Sequence, residues 1–291
     1  MTVNLIEIPQ AVPGFNKFIG SWLCPGPKNI LVDVGPAATA ARLIDALEAQ
    51  GIGHIDHILI THIHIDHAGA LADLLARFPM ANAICHEKAM PLLADPSKLW
   101  AGSLSVLRET AQMYGEPKPV PEDRLIPHNC CSIPDLMVLE TPGHAAHHLS
   151  FSYEDRLFIG EAGGNFMAIG DETYLRPATP PRFFMEAYLG SLKRLLGLKN
   201  QTVCYGHFGE APNSHEMLER FRDQLLRWKE IVSARLIKGE ANPVPGCMEA
   251  LLENDPELRL FDKMASDIQD RERFFLTNSI KGFIGFLREK Q

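Results

Sequence analysis

Residues 61–69 read THIHIDHAG and follow a short apolar stretch. Four side chains that commonly bind metal ions fall within six positions: His62, His64, Asp66 and His67. His62 and His64 are two residues apart, so in an extended segment they point to the same side. Imidazoles suit zinc and similar metals, and a carboxylate adds an oxygen ligand for a second cation. Burying these groups without a partner would be costly, so the stretch predicts a metal site.

Three later stretches each present a further ligand-type residue directly after a predicted strand. They are TPGHAAHHL at 141–149 with His144, FIGEAGG at 158–164 with Glu161, and CYGHFG at 204–209 with His207. Rigid scaffolds usually present catalytic groups from such strand-to-loop junctions. The four stretches together therefore predict one site built from several strand ends.

The spacing of apolar residues predicts alternating strands and helices. Strands are predicted at 3–8, 17–23, 29–34, 55–61, 82–86, 135–140, 148–153, 156–160 and 201–205. Helices are predicted at 37–50, 68–78, 183–196 and over most of the chain after 213, and residues 87–123 read as a helical, then proline-rich cap or insertion. Two packed sheets with helices outside would satisfy this order, although periodicity alone does not select that topology.

The metal-binding stretches resemble those of the metallo-β-lactamase superfamily over roughly residues 15–210, in the family's order. His62, His64, Asp66 and His67 match its HxHxDH motif. The resemblance implies an α/β fold, a four-layer αββα sandwich of two mixed β-sheets with outer helices. Residues 1–211 would form this domain, and residues 212–291 a C-terminal helical extension or lid.

Family membership also implies a ligand set for two divalent metal ions, zinc above all, with manganese or iron as alternatives. His62, His64 and His144 would hold one ion. Asp66, His67 and His207 would hold the other. Glu161 would bridge the two.

Two departures from the family pattern concern Glu161 and His147. The bridging position usually holds Asp, whereas Glu161 is one methylene longer and would bridge with altered spacing, bind one metal only, or weaken the second site. The family turn often reads TPGHxxGH, and here His147 replaces the Gly and His148 takes the last position. We expect His148 to hydrogen-bond near a ligand and His147 to lie at the surface or at a pocket rim.

Several other residues near these stretches carry open interpretations. Asp33 in LVDVGP is expected either to support the ligand loop or to form a turn. Arg176 and Arg182 are read as structural or solvated more readily than as binders of a substrate carboxylate. Some nearby aromatic residues could line an apolar pocket, although core packing explains most of them: Phe166, Tyr174, Phe183, Phe184, Tyr188 and Phe208.

The predicted function is a metal-dependent hydrolase that uses a bridging hydroxide on a dinuclear site, with Asp66 orienting the nucleophile. By resemblance, its substrate is a small ester, lactone or thioester. The alternative is a mononuclear non-haem iron dioxygenase or other oxidoreductase of the same superfamily, favoured if Glu161 does not bridge. A non-catalytic metal-binding protein is the third interpretation, disfavoured because every ligand position is filled.

Composition and net charge limit the classes of molecule that this protein is expected to bind. The 291 residues are 46% apolar and carry a formal net charge of −8, which argues against nucleic acid and anionic membranes as partners and favours a small-molecule substrate. We see no secretory signal or membrane span, so the expected location is cytoplasmic, and the six cysteines are read as buried, reduced thiols. The C-terminal helices would form a lid or a homodimer surface.

Overall fold

The structure is a computed structural model that describes residues 3–181 and 183–289. The strands are β1 (Asn4–Glu7), β2 (Gly20–Cys24), β3 (Ile30–Val32), β4 (His57–Leu59), β5 (Asn82–Cys85), β6 (Leu125–Pro127), β7 (Leu136–Glu140), β8 (Leu149–Tyr153), β9 (Arg156–Gly160), β10 (Asn165–Ile169), β11 (Glu172–Arg176), β12 (Thr202–Tyr205) and β13 (Glu210–Ala211). The helices are α1 (Ala40–Ala49), α2 (Ile65–Ala68), α3 (Leu71–Arg77), α4 (Met90–Ala94), α5 (Ser97–Leu107), α6 (Glu109–Tyr114), α7 (Met185–Leu196), α8 (Ser214–Leu236), α9 (Val244–Asn254) and α10 (Ser266–Arg288).

The chain divides into two compact units. Unit 1 comprises the described residues of 1–11, 16–140 and 147–154, and unit 2 comprises those of 12–15, 141–146 and 155–291. Each unit contains a mixed sheet and helices.

Unit 1 is organised around a six-stranded sheet in the order β1-β2-β3-β4-β5-β6. β1 to β3 pair antiparallel, and β3 to β6 pair parallel. β3 reads ILV and is wholly buried, as expected for a strand covered on both faces. Because β3 to β6 are parallel, their carboxyl ends share one edge, and the chain leaves this edge at Asp33, in the 61–69 stretch, at His86 and at His128.

Unit 2 contains β9 and β12 as parallel neighbours, with β13 antiparallel to β12. Tyr205 lies opposite Gly160 in this pairing, so the next loops, which carry Glu161 and His207, leave the same edge. The helices α7 to α10 also belong to unit 2. Five apolar residues at helical spacing along α8 are all buried: Leu218, Phe221, Leu225, Trp228 and Val232.

The structure adds elements that the apolar pattern did not predict: β6, the β10–β11 hairpin and β13. The helix predicted at 68–78 is observed as α3, which begins three residues later and is preceded by the separate short helix α2. The expectation that all six cysteines are buried is wrong for Cys130, which is exposed, and for Cys131, which is partly exposed. No helix in the described ranges is both long enough and apolar enough to cross a bilayer.

Arg176 is structural, as the preferred interpretation held. Its side chain is buried in unit 2, and its Nε donates to Oε2 of Glu272 at 2.6 Å. Arg271 donates from Nε to Oε1 of the same carboxylate at 3.0 Å. Burial raises the pKa of Glu272, but the two guanidinium groups outweigh it and hold that pKa below the usual range. Arg182 lies outside the described residues.

Replacing Glu272 by Gln should lower the free energy of unfolding at pH 7 by about 3–5 kcal/mol, because it leaves two buried guanidinium groups without their carboxylate. The measurement is urea denaturation, with the exposed Glu240→Gln as the matched control. The folded-state pKa of Glu272 is lowered, so its contribution is complete above its unfolded pKa of about 4.3. It is lost as the pH falls through the folded value. The difference between wild type and Glu272→Gln should therefore shrink in acid, and equal stability at pH 7 would contradict this role.

Candidate metal centre

The first two histidines of the 61–69 stretch face each other at the carboxyl end of β4. Nε2 of His62 lies 3.1 Å from Nδ1 of His64. Two nitrogens bound to one tetrahedral zinc at the usual bond lengths stand about 3.3 Å apart. His62 is buried and His64 is partly exposed. The pair therefore already has the spacing of two ligands of one metal.

Asp33 holds this stretch in place from the neighbouring strand. Its Oδ1 accepts the backbone N–H of Thr61 at 2.8 Å, and its Oδ2 accepts the Thr61 hydroxyl at 2.7 Å. Oδ2 also lies 2.9 Å from Nδ1 of His67, which places the Nδ1 proton between them and leaves Nε2 as the ring atom for a metal. Asp33 has a φ of 54°, a strained conformation of the kind that gathers at functional sites. Of its two interpretations, support of the ligand loop is the one that these contacts favour.

Replacing Asp33 by Asn should weaken metal affinity by about 10- to 100-fold, because the amide loses the charge that orients His67. Asn also tolerates positive φ, so the backbone strain is unchanged. Competition with a chromophoric chelator measures the affinity, and the exposed Asp123→Asn is the control. An unchanged affinity with an unchanged melting temperature would show that Asp33 only forms a turn.

Asp66 and His67 belong to the short helix α2 that begins after His64. A ligand atom of Asp66 and one of His67 lie within 4.8 Å of each other. Asp66 is partly exposed whereas His67 is buried. Gly69 follows at a point where the backbone leaves no room for a side chain: a Cβ there would lie 2.2 Å from the Ile65 carbonyl oxygen. Of the four ligand-type residues in this stretch, Asp66 and His64 are partly exposed, so solvent can reach the carboxylate of Asp66.

In unit 2, a rigid turn presents His144. The Ser191 hydroxyl donates to the Pro142 carbonyl at 2.7 Å, and a Cβ at Gly143 would lie 2.4 Å from the ring of Tyr188. Only glycine lets the turn lie this close to α7. Nδ1 of His144 lies 2.7 Å from the Ala178 carbonyl oxygen, so it donates its proton there.

The two carboxylate oxygens of Glu161 face different histidines. Oε2 lies 2.8 Å from Nε2 of His144, and Oε1 lies 3.3 Å from Nε2 of His207. All three side chains are buried. The Tyr188 hydroxyl donates to the Glu161 backbone carbonyl and so holds the backbone at Glu161 in place. The extra methylene of Glu therefore still allows one oxygen towards each histidine.

These residues fit divalent cations. The hydrogen bond from Nδ1 of His144 leaves a lone pair on Nε2 of the neutral ring, and that lone pair points at a carboxylate oxygen. Two lone pairs at this distance repel unless a cation or a proton lies between them. Unit 1 contributes three imidazoles and one carboxylate, and unit 2 contributes two imidazoles and one carboxylate; each set suits first-row divalent metals. The residues are His62, His64, Asp66 and His67 in unit 1, and His144, Glu161 and His207 in unit 2.

The histidines and aromatic residues near the ligands differ in how far they are buried. His148 is fully buried and stacks on His62 with ring centroids 5.1 Å apart, so it supports a ligand by packing. His147 is partly exposed, and its ring centroid is 6.4 Å from that of His64. Most of the aromatic residues near the ligands are core residues, as expected: Phe166, Tyr174, Phe183 and Tyr188 are buried. Phe184 is exposed, and Phe208 is partly exposed.

A further histidine cluster in unit 1 was missed by the sequence motifs. Nε2 of His128 lies 3.1 Å from Glu140, and Nε2 of His86 lies 3.7 Å from it. Nδ1 of His86 accepts the backbone N–H of Lys88 at 3.1 Å. Nδ1 of His128 accepts the backbone N–H of Glu87 at 3.3 Å. Nε2 therefore carries the proton in both neutral rings. A metal bound at Nε2 would require the ring proton to sit on Nδ1, where it would face a backbone N–H donor. This His86–His128–Glu140 cluster is therefore a hydrogen-bonded contact between strand ends.

The pKa shifts of His86 and Glu140 agree with this arrangement of the His86–His128–Glu140 cluster. Burial lowers the pKa of His86, and the neighbouring His128 lowers it further. The hydrogen bond from His128 holds the pKa of Glu140 below its usual range. The Nε2–H of His128 donates to the Glu140 carboxylate at 3.1 Å, whereas Nε2 of His86, at 3.7 Å, lies beyond hydrogen-bond distance of it. The sequence signal for the cluster was weak, because the residues stand at three separate strand ends.

Comparison with known proteins gives consistent likenesses. The family model of the metallo-beta-lactamase superfamily matches residues 21–207. A metallo-beta-lactamase fold-containing protein of Sulfurisphaera tokodaii is 28% identical over 237 residues, 78% of this chain and 86% of the relative. A hydroxyacylglutathione hydrolase of Aliivibrio fischeri is 27% identical over 274 residues, 90% of this chain and 92% of the relative.

Among solved structures, an archaeal metallo-beta-lactamase superfamily protein from Sulfolobus tokodaii is similar with a TM-score of 0.69 and 23% identity, over 97% of this chain and 98% of the other. This likeness confirms the predicted α/β fold class. The family match covers the 61–69 stretch, His144, Glu161 and His207. On this match, the chain belongs to the metallo-beta-lactamase superfamily.

Proposed function

We propose that the chain is a metal-dependent hydrolase with a dinuclear centre. The observation that carries the proposal is the position of Glu161, whose two oxygens each face a histidine that the family pattern assigns to a different metal. The proposed ligands are His62, His64 and His144 for one ion, Asp66, His67 and His207 for the other, and Glu161 between them. Zinc is the proposed metal, with manganese or iron as alternatives.

The proposed substrate is a small carboxylic thioester, ahead of esters and lactones. Relatives named hydroxyacylglutathione hydrolase align with most of this chain and most of their own length. Their name supports acyl-thioester cleavage here. The net charge of −8 supports a small molecule over nucleic acid or an anionic membrane as the partner.

When bound, two divalent cations would supply Lewis acidity for a carbonyl oxygen and lower the pKa of a water towards neutrality. The chain's own residues would hold and orient the reactants. Asp66, which solvent can reach, accepts a hydrogen bond from the attacking water and fixes its direction. Asp33 fixes the ring of His67, and the Ala178 carbonyl fixes that of His144. Glu161 supplies negative charge that offsets two close positive ions.

The test is removal of metal with a chelator, reloading with zinc, manganese or iron(II) separately, and assay of each form on an acyl thioester, an aryl ester, a lactone and a phosphodiester. We expect carbonyl substrates to be cleaved, with the thioester fastest, and activity to return only on reloading. Oxygen consumption by a form with about one iron per chain would instead favour the dioxygenase alternative. Failure of every metal form on every carbonyl substrate would overturn the proposal.

Location and assembly belong to the same proposal. We infer a cytoplasmic enzyme from the cysteines, all six of which are free thiols in the structure. The helices beyond residue 212 are proposed as a lid or homodimer surface, as the sequence first indicated.

A further inference from the structure

The loop that leads into α7 sits directly on the turn that carries His144. The backbone N–H of Phe184 donates to the Gly143 carbonyl at 3.4 Å, and this carbonyl belongs to the peptide that joins Gly143 to His144. Ala178, earlier in the same loop, accepts the Nδ1 proton of His144. The position of Phe184 is therefore tied to that of a proposed metal ligand.

The residues on either side of Phe184 anchor the loop. Phe183 is buried, and its ring centroid lies 4.9 Å from that of Phe283. Met185 is buried at the start of α7. Phe184 itself has extended backbone angles, φ −116° and ψ 93°. Successive side chains in extended backbone point to opposite sides. Phe183 and Met185 thus point into the core, and Phe184 points away from it.

Phe184 is 57% exposed, although a phenylalanine gains from burial. Its neighbours Phe183 and Met185 supply the buried contacts at the start of α7. The Phe184 side chain starts from a backbone that hydrogen-bonds to the turn carrying the ligand His144. An exposed apolar side chain at this position fits contact with the apolar part of a bound molecule, because reactive sites combine a few polar groups with apolar walls.

We propose that Phe184 is a specificity-determining residue that contacts the acyl chain of the substrate and favours acyl groups with an apolar or aromatic portion. This inference rests on the proposed thioester hydrolysis. In it the acyl carbonyl lies at the metal centre and the acyl side chain extends over the His144 turn onto the ring. The thiol part of the substrate makes no contact with Phe184.

The test compares Phe184→Ala with wild type on acetyl and phenylacetyl thioesters of the same small thiol, using the zinc-loaded full chain. We expect kcat/KM for the phenylacetyl substrate to fall by about 10-fold, mainly through KM, and the acetyl value to change by less than about two-fold. Ile237→Ala is the matched control, since Ile237 is 82% exposed at the end of α8. Phe184→Leu should restore part of the preference.

Equal values for Phe184→Ala and wild type on both substrates, or an equal loss on both, would overturn the inference. A binding measurement separates it from the proposed function. Calorimetry should find that phenylacetate binds the zinc-loaded protein more tightly than acetate, and that Phe184→Ala removes the difference. If the wild type cleaves no thioester but shows this binding preference, the proposed reaction fails and the contact stands. If it cleaves both thioesters without preference, the contact fails and the reaction stands.

Discussion

Replacing Asp66 by Asn is expected to lower kcat for the best carbonyl substrate by about 10²- to 10⁴-fold, the usual contribution of a group that positions or accepts a proton in the reaction. Asn keeps the shape of the side chain, but its amide cannot accept as strongly and bears no charge. Asp66 is partly exposed at the start of α2, so the substitution should leave the core intact. The measurement is steady-state kinetics at saturating metal.

The matched control for Asp66→Asn is Asp45→Asn, which changes an exposed aspartate on α1 of the same unit. Circular dichroism and thermal melting should be the same for both variants and the wild type. A kcat within about two-fold of wild type would remove Asp66 from the proposed mechanism. Collapse of the circular dichroism signal would show a structural role in place of the catalytic one.

Replacing Glu161 by Gln is expected to reduce the bound metal from about two ions per chain to about one. The neutral amide loses the charge that offsets two close cations, and only one of its two atoms remains an acceptor. Activity should fall with the second ion. Inductively coupled plasma mass spectrometry of the gently purified variant measures the ratio of metal to chain.

Glu161→Asp is the informative companion, because Asp is the usual residue at the matching position of the family that the sequence resembles. If the bridge is the function of Glu161, Asp should retain about two metals per chain, and activity should stay well above that of Gln. Retention of both metals by Glu161→Gln would show that this carboxylate does not bridge.

The candidate ligands could be found from sequence because each stands in a short contiguous motif after an apolar strand. The 61–69 stretch needs no knowledge of distant pairing to be recognised as a metal-binding loop. The structure adds the orientation of these side chains within each unit. The role of Asp33 is of this kind, since its contacts with Thr61 and His67 depend on the pairing of β3 with β4.

Contacts between residues far apart in the chain could not be predicted. Arg176 and Glu272 are 96 residues apart, and no pattern in either segment names its partner. The His86–His128–Glu140 cluster likewise brings together three strand ends that are far apart in the sequence. The β10–β11 hairpin is different, because its signal was present: Gly170 and Asp171 form a two-residue link between two strand-like runs, and Gly170 has a φ of 60°.

The exposure of Phe184 also could not be predicted from the sequence. The sequence places several aromatic residues near the ligands, and core packing correctly explains those that are buried. Which one points outward depends on the extended backbone before α7 and on the anchoring of its two neighbours. Periodicity cannot resolve this in a loop.

If catalysis needs two metal ions held by this set of residues, adding zinc stepwise to metal-free protein should show it when thioester hydrolysis and bound metal are followed together. We expect activity to rise until about two ions are bound per chain and then to stay constant. Full activity at about one ion per chain, or binding of two ions without hydrolysis of any carbonyl substrate, would contradict this expectation.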